Sequence, residues 1–511
     1  MSLPDYRSAG ICLHLTSLPG SYGIGELGSS ARRFIDFLVR SELGIWQFLP
    51  VGPTAYGDSP YQPLSINAGN TLLIDVATLC AQGLLTNSEV APLTRLPPNT
   101  VDFAALIPAK SQLLSLAAAR FPSRASAERQ QAFSRFCTDN DECWLHDFAL
   151  FQVLKTMHLQ QAWPEWNAKF RDRDTAALAD IARTEQARID EVKVLQFLFA
   201  EQWQALQHYA HDKNVRLFGD LPIYIALDSV DAWVHRELLL LDDEGRPLRV
   251  AGVPPDYFSE DGQLWGNPIY DWDYQERSGF KWWIERMRSA INLCDMVRID
   301  HFRGFESYWS VPADADTART GEWCKGPADR IFAAMRAELG SLPIVAEDLG
   351  IITDDVNALR ERQNFPGMKV LQFLLEEPGF HIDAIPENCV CYTGTHDNDT
   401  SAGWLATRTA ALSTIAAAVI AGTGRLQDTG EQRSPSAQDL VRLAFATPAR
   451  IAIAPMQDFL NLGTEARFNI PGTTMNNWRW RMHQDALTDQ LSAKIQSWVS
   501  TTHRGKNAML Q

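Results

Sequence analysis

The chain has 511 residues, of which 45% are hydrophobic and 21% charged, so it can bury a large core and is not an intrinsically disordered protein. Its formal net charge of -16 disfavours nucleic acid and anionic membranes as partners and fits a neutral substrate. Because residues 1–10 show no secretory signal, no apolar run is long enough to span a bilayer, and the eight cysteines form no CxxC pair, we expect a cytoplasmic protein with free thiols.

Short apolar runs rich in β-branched residues recur along the chain and predict buried parallel strands. They lie at residues 10–19, 45–53, 215–225, 295–304, 342–350, 368–375, 389–399 and 450–460. Amphipathic stretches with helical spacing lie between them, at residues 29–43, 280–293 and 328–339. Strands that alternate with helices in this way predict an α/β fold, a (β/α)8 TIM barrel spanning 1–511 as one catalytic unit. A doubly wound open sheet is the alternative.

Two connections are too long to be single helices. Residues 54–214 predict a mostly helical subdomain inserted between the second and third strands, and they include the charged run 168–199. Residues 226–279 predict a second insertion, which holds a loop rich in Gly, Pro and aromatic residues at 251–272. A loop of this length inside a compact domain is usually functional, so we expect it at the active site.

The segment GIGELG at residues 23–28 fits the pattern G-x-G-x-x-G of dinucleotide-binding proteins. That fingerprint also expects an acidic residue at the end of the second strand, about 20 residues further on. The second strand instead ends in FLPVGP, without an acid. We therefore interpret the glycines as a tight first loop between strand and helix, and NAD binding as a distant alternative.

Carboxylates stand where the predicted strands end, which is where the active site of a (β/α)8 barrel lies. The set comprises Asp220, Asp300, Glu347, Asp397, Asp399 and Asp458. Any one of them could be a surface cap or half of an ion pair. A set spread over five strand ends favours a catalytic site instead.

Arg298 and Asp300 are two residues apart on a predicted strand, so their side chains share one face. A guanidinium beside a carboxylate favours its ionised form, which suits a nucleophile. A purely structural Arg–Asp pair is the alternative. His301 follows at the strand end and could donate a hydrogen bond to a sugar hydroxyl.

Glu347 ends the next strand after the apolar run PIVA, where a carboxyl group can keep its proton near neutrality and act as a general acid. Retaining glycosidases use such a pair, one nucleophile and one acid/base, across a single glycosidic bond. Asp397 is a third carboxylate that could hold sugar hydroxyls, and His396 is a plausible partner beside it. A His–Asp pair also suggests a metal site, but no second histidine stands at ligand spacing.

The sequence resembles the amylomaltases, or 4-α-glucanotransferases, of glycoside hydrolase family 77 over nearly its whole length. The resemblance rests on the segments GICLHLTSLPGSYGIGELG (10–28), GDSPYQPLSINAGN (57–70), GDLPIYIALDSVDAW (219–233), AGVPPDYFSEDGQLWGNPIYDW (251–272), VRIDHFRGF (297–305), VAEDLG (345–350), TGTHDNDT (393–400) and PMQDFLNLGTEARFNIPGTTMNNWRWR (455–481).

The resemblance implies a (β/α)8 barrel with inserted subdomains that transfers α-1,4-glucan segments with retention of configuration. It implies Asp300 as nucleophile, Glu347 as acid/base and Asp397 as the carboxylate that stabilises the transition state. It places Arg298, His396 and Asp220 around the sugar at the cleaved bond. The sugar-binding positions it implies are Tyr61, Trp265, Asn469, Gln263 and Phe373. It implies that the substrates are malto-oligosaccharides and α-1,4-glucans, and that the chemistry needs no metal or organic cofactor.

Transfer requires that a second sugar, and not water, attack the covalent intermediate. We expect the 251–272 loop to cover the site, with Tyr257, Phe258 and Trp265 displacing water and stacking on the acceptor. Three other readings stay open from the sequence. They are an α-amylase-like hydrolase, a non-catalytic glucan-binding protein and, more remotely, a nicotinamide-dependent oxidoreductase.

Overall fold

The strands of this protein form two separate sheets. We describe them in a computed structural model, which covers residues 4–54, 58–255, 260–408, 415 and 434–505. In chain order the strands are β1 (Ser8–Cys12), β2 (Ile45–Gln47), β3 (Arg216–Pro222), β4 (Arg249–Val253), β5 (Gln263–Pro268), β6 (Met296–Asp300), β7 (Ser307–Pro312), β8 (Glu322–Lys325), β9 (Ile344–Ala346), β10 (Gly367–Val370), β11 (Cys389–Tyr392) and β12 (Ile451–Pro455).

Eight parallel strands form the larger sheet in the order β10–β11–β12–β1–β2–β3–β6–β9. Its two edges meet where the amide of Ala346 on β9 donates to the carbonyl of Pro366, just before β10, at 2.8 Å. The sheet is therefore a nearly closed barrel, which confirms the predicted (β/α)8 fold over the open-sheet alternative. Each of the eight predicted strands overlaps one strand of the barrel.

The three predicted amphipathic helices are present as Ser29–Arg40, Lys281–Leu293 and Asp329–Leu339. The first buries Phe34, Ile35 and Leu38, which share one helical face. The other described helices are Val76–Ala81, Asn87–Val90, Phe103–Arg124, Ala127–Asn140, His146–Met157, Ala168–Arg171, Thr175–Thr184, Gln186–Asp212, Val230–Val234, Trp272–Arg277, Asp354–Arg362, Leu371–Leu374, Ser401–Ala406, Ala437–Ala446, Met456–Phe459 and Asp489–Thr501.

Helices dominate the long connection between β2 and β3, and the longest of them, Gln186–Asp212, packs beside the barrel. The Gln196 side chain exchanges two hydrogen bonds with the backbone of Gly69, at 2.8 and 3.0 Å. Gln202 does the same with the backbone of Asp75, at 2.7 and 3.3 Å. These side-chain amides bond buried backbone groups in the connection between β2 and β3. That 54–214 is a subdomain of its own stays a prediction.

A buried ion pair joins this helical region to the first loop of the barrel. Lys110, on helix Phe103–Arg124, donates to Glu26, and both side chains are almost wholly buried. Glu26 belongs to the GIGELG segment, whose glycines allow a tight loop: a Cβ on Gly25 would lie 1.9 Å from the Leu15 carbonyl oxygen. The interpretation of these glycines as a close-packed loop therefore agrees with the structure.

A second, antiparallel sheet has the strand order β5–β4–β7–β8. The Gly and Pro content of the stretch 251–272 predicts a loop, and this prediction is wrong in part, because β4 extends into the stretch and β5 lies inside it. Gly252 is needed in β4 for close pairing, since a Cβ there would lie 2.3 Å from the carbonyl oxygen of Gln263 on β5. Residues 256–259, between these two strands, lie outside the described residues.

Apolar side chains fill the barrel interior, and they form a buried cluster with members from every stave. The cluster comprises Cys12, Ile45, Phe218, Met296, Val345, Met368, Val370, Val390, Tyr392, Ile451 and Ile453. Side chains alternate along a strand, so residues two positions further on point to the same interior. Asp220, Arg298 and Glu347 occupy such positions, at the carboxyl end of the barrel.

Within the residues described, no helix is both long and apolar enough to cross a membrane. All eight cysteines are unpaired, and Cys389 and Cys391 on β11 pack in the core.

Removal of Lys110 tests the buried ion pair. Burial raises the pKa of Glu26 to about 7, above its usual value, so ionisation of Glu26 weakens the fold as pH rises through 7. Lys110→Met leaves that charge unpaired, and we expect the free energy of unfolding in urea to fall by about 3–5 kcal/mol at pH 8. At pH 5 we expect a smaller loss, because Glu26 can take up a proton.

The double variant Lys110→Met/Glu26→Gln should recover most of the loss, and Lys281→Met, at an exposed lysine, serves as the control. Equal losses at pH 5 and pH 8 would contradict the role given to the Glu26 charge.

Candidate active site

Arg298 is the centre of the polar cluster at the carboxyl end of the barrel. It is almost fully buried on β6, and its Nη1 donates to Asp220 Oδ2 on β3 at 2.7 Å, while its Nη2 donates to Asp300 Oδ1 at 2.8 Å. The register pairs Asp220 with Arg298 on adjacent strands, and Asp300 lies two residues further along β6. One guanidinium thus fixes two carboxylates side by side.

The two carboxylates differ in their access to solvent. The Asp220 side chain is fully buried, whereas one third of the Asp300 side chain is exposed. Burial raises the pKa of Asp220, and the adjacent Arg298 charge opposes that shift. Asp300 is therefore the carboxylate that a substrate can reach, and it is held in place by a buried cation.

Tyr61 and His396 close one side of this cluster. The Tyr61 hydroxyl donates to Asp220 Oδ2 at 2.8 Å and lies 3.4 Å from His396 Nδ1. Their rings stack with centroids 5.0 Å apart, and Trp478 lies 6.0 Å from each ring. Flat rings of this kind provide a face on which the apolar side of a sugar can pack.

Glu347 directly follows β9, and β9 is the neighbour of β6 in the barrel. Its Oε2 accepts from the backbone amide of His301 at 2.7 Å, and its Oε1 accepts from the amide of Leu349 at 2.8 Å. The amide of Glu347 in turn donates to Ile299 on β6, and the amide of Phe302 donates to the Glu347 carbonyl, at 3.0 and 3.1 Å. The residue that follows Asp300 thus contacts the Glu347 carboxyl group directly.

Burial and the nearby negative charge of Asp300 raise the pKa of Glu347 to about 7, although Arg298 and the two amides favour its ionised form. A carboxyl group with this pKa can both donate and accept a proton near neutrality. A pair of carboxyl groups whose surroundings favour the ionised form of one and the protonated form of the other is typical of acid/base catalysis.

His301 connects the carboxylates to the second sheet. Its backbone is in the left-handed region, with φ of 54°, and this conformation accompanies the bond from its amide to Glu347. Its ring packs edge-on against Trp265 on β5, with centroids 4.8 Å apart, and Trp265 donates to Gln263. Burial lowers the pKa of His301 to about 4, so the ring is neutral at pH 7.

Asp397 lies in the loop after β11, and about half of its side chain is exposed. Its Oδ1 accepts from the Asn469 side chain at 2.6 Å, and its Oδ2 lies 3.4 Å from Nε2 of His396. His396 also contacts Tyr61, which binds Asp220. Asp397 is therefore linked through its neighbours to the Arg298 cluster.

Several buried polar atoms around this cluster have no hydrogen-bond partner among the described residues. They include Asp220 Oδ1, His301 Nε2 and Nδ1 of His14. Buried polar groups are normally paired, because an unmade hydrogen bond costs about 1–3 kcal/mol. Sugar hydroxyls both donate and accept, so a bound sugar could satisfy a carboxylate oxygen and ring nitrogens at once.

Not every predicted site residue joins the network. Phe373 lies on helix Leu371–Leu374 after β10, half exposed, and no described contact ties it to the carboxylates. Tyr257 and Phe258 lie outside the described residues. Asp458 is buried and accepts from Thr393 and Ser401, which is the structural role that single strand-end acids often have.

Asp399, the remaining strand-end acid, likewise bonds protein groups, since its Oδ2 accepts from Thr464 at 2.8 Å.

A buried histidine that the sequence did not single out, His14, lies two residues beyond β1. Burial and the His396 charge lower its pKa to about 3. Cys12 faces the barrel interior, and side chains alternate along a strand. The spacing of two residues between Cys12 and His14 is therefore the signal that predicts an inward-facing His14. No described group of three or more metal-ligating side chains is placed to hold an ion.

Comparisons with known proteins agree on one family. A family model described as 4-alpha-glucanotransferase matches residues 13–488. The 4-alpha-glucanotransferase of Thermus thermophilus is 43% identical over 510 residues, covering 99% of this chain and all of that protein. The chloroplastic/amyloplastic 4-alpha-glucanotransferase of Solanum tuberosum is 41% identical over 500 residues, 96% of this chain and 84% of that protein.

Among solved structures, an amylomaltase from Streptococcus agalactiae in complex with acarbose superimposes with a TM-score of 0.91 at 38% identity. The match covers 98% of this chain and all of the amylomaltase.

Asp300→Asn tests whether the two carboxyl groups interact. Because the negative charge of Asp300 helps to raise the pKa of Glu347, its removal should lower that pKa below about 7. The measurement is a titration by carbon NMR with labelled glutamate, in which Glu347→Gln identifies the resonance. Asp397→Asn is the matched control and should leave the titration unchanged. An unaltered pKa in Asp300→Asn would show that the carboxylates are not coupled.

Proposed function

The chain belongs to the 4-alpha-glucanotransferase family, and from this premise we propose that Asp300, Glu347 and Asp397 together transfer an α-1,4-glucan segment to the 4-hydroxyl of an acceptor glucose or glucan. Malto-oligosaccharides and α-1,4-glucans are the substrates in this proposal. The S. agalactiae amylomaltase, whose fold this chain shares, binds acarbose.

The observation that carries the proposal is the different environment of two adjacent carboxyl groups. Asp300 is bound to the Arg298 guanidinium and is partly open to solvent. Glu347 is buried, its pKa is raised to about 7, and it accepts from the amide that follows Asp300. One group suits a nucleophile and the other suits an acid/base, which is the division of labour in a retaining glycosidase.

In the first step, an oxygen of Asp300 attacks the anomeric carbon of the donor. The bond from that carbon to the glycosidic oxygen breaks, and Glu347 gives its proton to the departing oxygen. The reducing-end part of the donor leaves as a free chain. Arg298 keeps the Asp300 oxygens oriented during the attack, because it holds the other carboxylate oxygen at 2.8 Å.

In the second step, the 4-hydroxyl of an acceptor attacks the same carbon from the side that the leaving group vacated. Glu347 takes the hydroxyl proton, and the bond to Asp300 breaks. Two inversions leave the configuration of the new glycosidic bond unchanged. Asp397, which Asn469 and His396 contact, would hold hydroxyls of the same sugar and favour its distorted, oxocarbenium-like form.

The remaining polar and aromatic groups are proposed to bind the sugar at the cleaved bond and its neighbours. The side chains of Asp220, His301 and His396 are buried beside the carboxylates, and Asp220 and His301 each have a polar atom without a partner in the described part of the chain. Tyr61 and Trp265 present rings next to them. Gln263 and Phe373 are proposed as more distant sugar contacts.

Unpaired cysteines support a reducing compartment, and we place the enzyme in the cytoplasm.

Transfer in place of hydrolysis needs a site from which water is displaced when the acceptor binds. Trp265 lies on β5 of the second sheet and packs against His301, so this sheet borders the carboxylates. We assign the covering role to the segment 251–272, which includes β5 and part of β4. Its Tyr257 and Phe258 belong to this proposal and lie outside the described residues. An α-amylase-like hydrolase would use the same carboxylates and differ in the fate of the intermediate.

An assay with maltotriose distinguishes transfer from hydrolysis and tests the nucleophile. The wild type should form glucose and longer maltosaccharides with a constant number of reducing ends, whereas a hydrolase would increase that number. Asp300→Asn should lower kcat by about 10⁴-fold or more, because the covalent path is lost, with little change in thermal midpoint. A variant that retains full activity would exclude Asp300 as nucleophile.

Glu347→Gln tests the acid/base with two donors that differ in their leaving groups. With maltotriose we expect kcat to fall by about 10²–10⁴-fold, since the departing oxygen needs a proton. With α-maltosyl fluoride the leaving group needs none, so a burst of one fluoride per enzyme should be kept. Added azide, an acceptor without a proton, should then restore turnover. Equal losses with both donors would contradict the assignment.

A further inference from the structure

The loop that carries Asp397 is fixed near its two ends, where Gln372 Nε2 donates to the Asp399 carbonyl at 2.9 Å and Thr393 donates to Asp458. It spans residues 393–400, between β11 and helix Ser401–Ala406. Its internal bonds are local: the Asp397 amide donates to Thr395 Oγ1 at 3.2 Å, and the Thr395 amide donates to Asn398 Oδ1 at 2.8 Å. The Asp397 side chain is half exposed. The position of the Asp397 carboxylate therefore depends on contacts from another part of the chain.

Those contacts come from residues 464–469, and Arg467 makes the central ones. Its Nη2 donates to the backbone carbonyl of Asp397 at 2.5 Å, and its Nε donates to the carbonyl of Asn469 at 2.6 Å. Asn469 Nδ2 donates to Asp397 Oδ1 at 2.6 Å. We propose that Arg467 is a positioning residue for the transfer reaction, which sets the Asp397 carboxylate against the donor sugar without touching the sugar itself.

The chemistry of the guanidinium explains why an arginine is needed. Its N–H groups lie in one plane at fixed angles, so Nε and Nη2 hold two acceptors at a set spacing. Here the acceptors are the carbonyls of the two residues whose side chains pair. Arg467 thus holds the carbonyls of Asp397 and Asn469 at a fixed spacing. At this spacing the Asn469 side chain can donate to the Asp397 carboxylate. Lysine could bind one carbonyl but could not impose this spacing.

Arg467 has no ion pair with any carboxylate in the part of the chain that the structure describes. Its charge is directed at carbonyl oxygens, and hydrogen bonds from charged donors to such acceptors are stronger than those between neutral groups. Because Arg467 is half-buried, we expect a smaller gain in stability. Its main effect is therefore on the geometry of the loop.

The segment that carries Arg467 is itself held on the barrel. The carbonyl of Ala466 accepts from Gln457, on the helix after β12, at 3.0 Å. Thr464 Oγ1 donates to Asp399 Oδ2 at 2.8 Å, which ties the segment to the far end of the Asp397 loop. The amide of Trp478 donates to the Phe468 carbonyl at 2.6 Å. Arg467 thus connects a supported segment to the middle of the loop, where it bonds the backbone of Asp397.

This inference rests on the proposed role of Asp397, and it predicts how the rate depends on Arg467. Misplacement of a catalytic group by about 1 Å can cost about 10²-fold in rate. Arg467→Met, which keeps the length of the side chain and removes its donors, should lower kcat for maltotriose by about 10²-fold. Arg467→Lys should show an intermediate loss, because one hydrogen bond can persist. The KM for maltotriose should change by less than the kcat.

Arg479→Met is the matched control, since Arg479 is a half-buried arginine later in the chain without a described bond to Asp397. It should keep kcat near that of the wild type. Thermal midpoints of all variants should stay close together. If Arg467→Met does not fold, Arg467→Lys and Arg467→Gln provide the same comparison.

A double-mutant cycle with Asp397→Asn decides whether Arg467 acts through Asp397. The affinity for acarbose, measured by calorimetry, is the readout, because it can be followed in inactive variants. If Arg467 acts through the Asp397 carboxylate, Arg467→Met should weaken acarbose binding in the wild type and add little in the Asp397→Asn background. Equal effects in both backgrounds would overturn the inference, as would wild-type kcat in Arg467→Met.

The same cycle separates the inference from the proposed function. Wild-type transfer by Asp397→Asn would remove the proposed catalytic role of Asp397. An inactive Asp397→Asn beside a fully active Arg467→Met would leave that role intact and overturn only the positioning role of Arg467.

Discussion

The candidate site depends on one buried cation. Arg298 lies inside the barrel and binds Asp220 on one side and Asp300 on the other. Leaving either carboxylate there without the guanidinium would place an uncompensated charge in a poorly solvated site, which costs several kcal/mol. The same cation keeps Asp300 in one orientation, with one oxygen bonded and a third of the side chain exposed. The Arg298 guanidinium thus both stabilises the carboxyl end of the barrel and orients Asp300, the proposed nucleophile.

The proposed acid/base is placed by the backbone. Two amides, one of them from the residue after Asp300, hold both oxygens of Glu347. Burial and the Asp300 charge nevertheless raise its pKa to about 7. Adjacent parallel strands explain how this arrangement arises, because their carboxyl ends meet at one edge of the barrel. Asp397 differs from both, since it lies on a loop and depends on a later segment of the chain for its position.

Much of this could be predicted from the sequence. The apolar runs rich in β-branched residues predicted all eight barrel strands, and the spacing of Arg298 and Asp300 predicted their shared face. The second sheet was missed, because Gly and Pro residues hide the alternation of β4 and β5. Arg467 was also missed: its partners are the carbonyls of residues 397 and 469, and no side-chain pattern reveals a bond to a distant backbone group.

The most direct test of the account is to trap the covalent intermediate. Glu347→Gln is mixed with α-maltosyl fluoride, quenched in acid and digested, and the peptides are analysed by mass spectrometry. If Asp300 is the nucleophile, one maltosyl group should be found on the peptide that contains Asp300, and none when Asp300→Asn is added to the variant. A maltosyl group on another carboxylate, or release of fluoride without any labelled peptide, would contradict it.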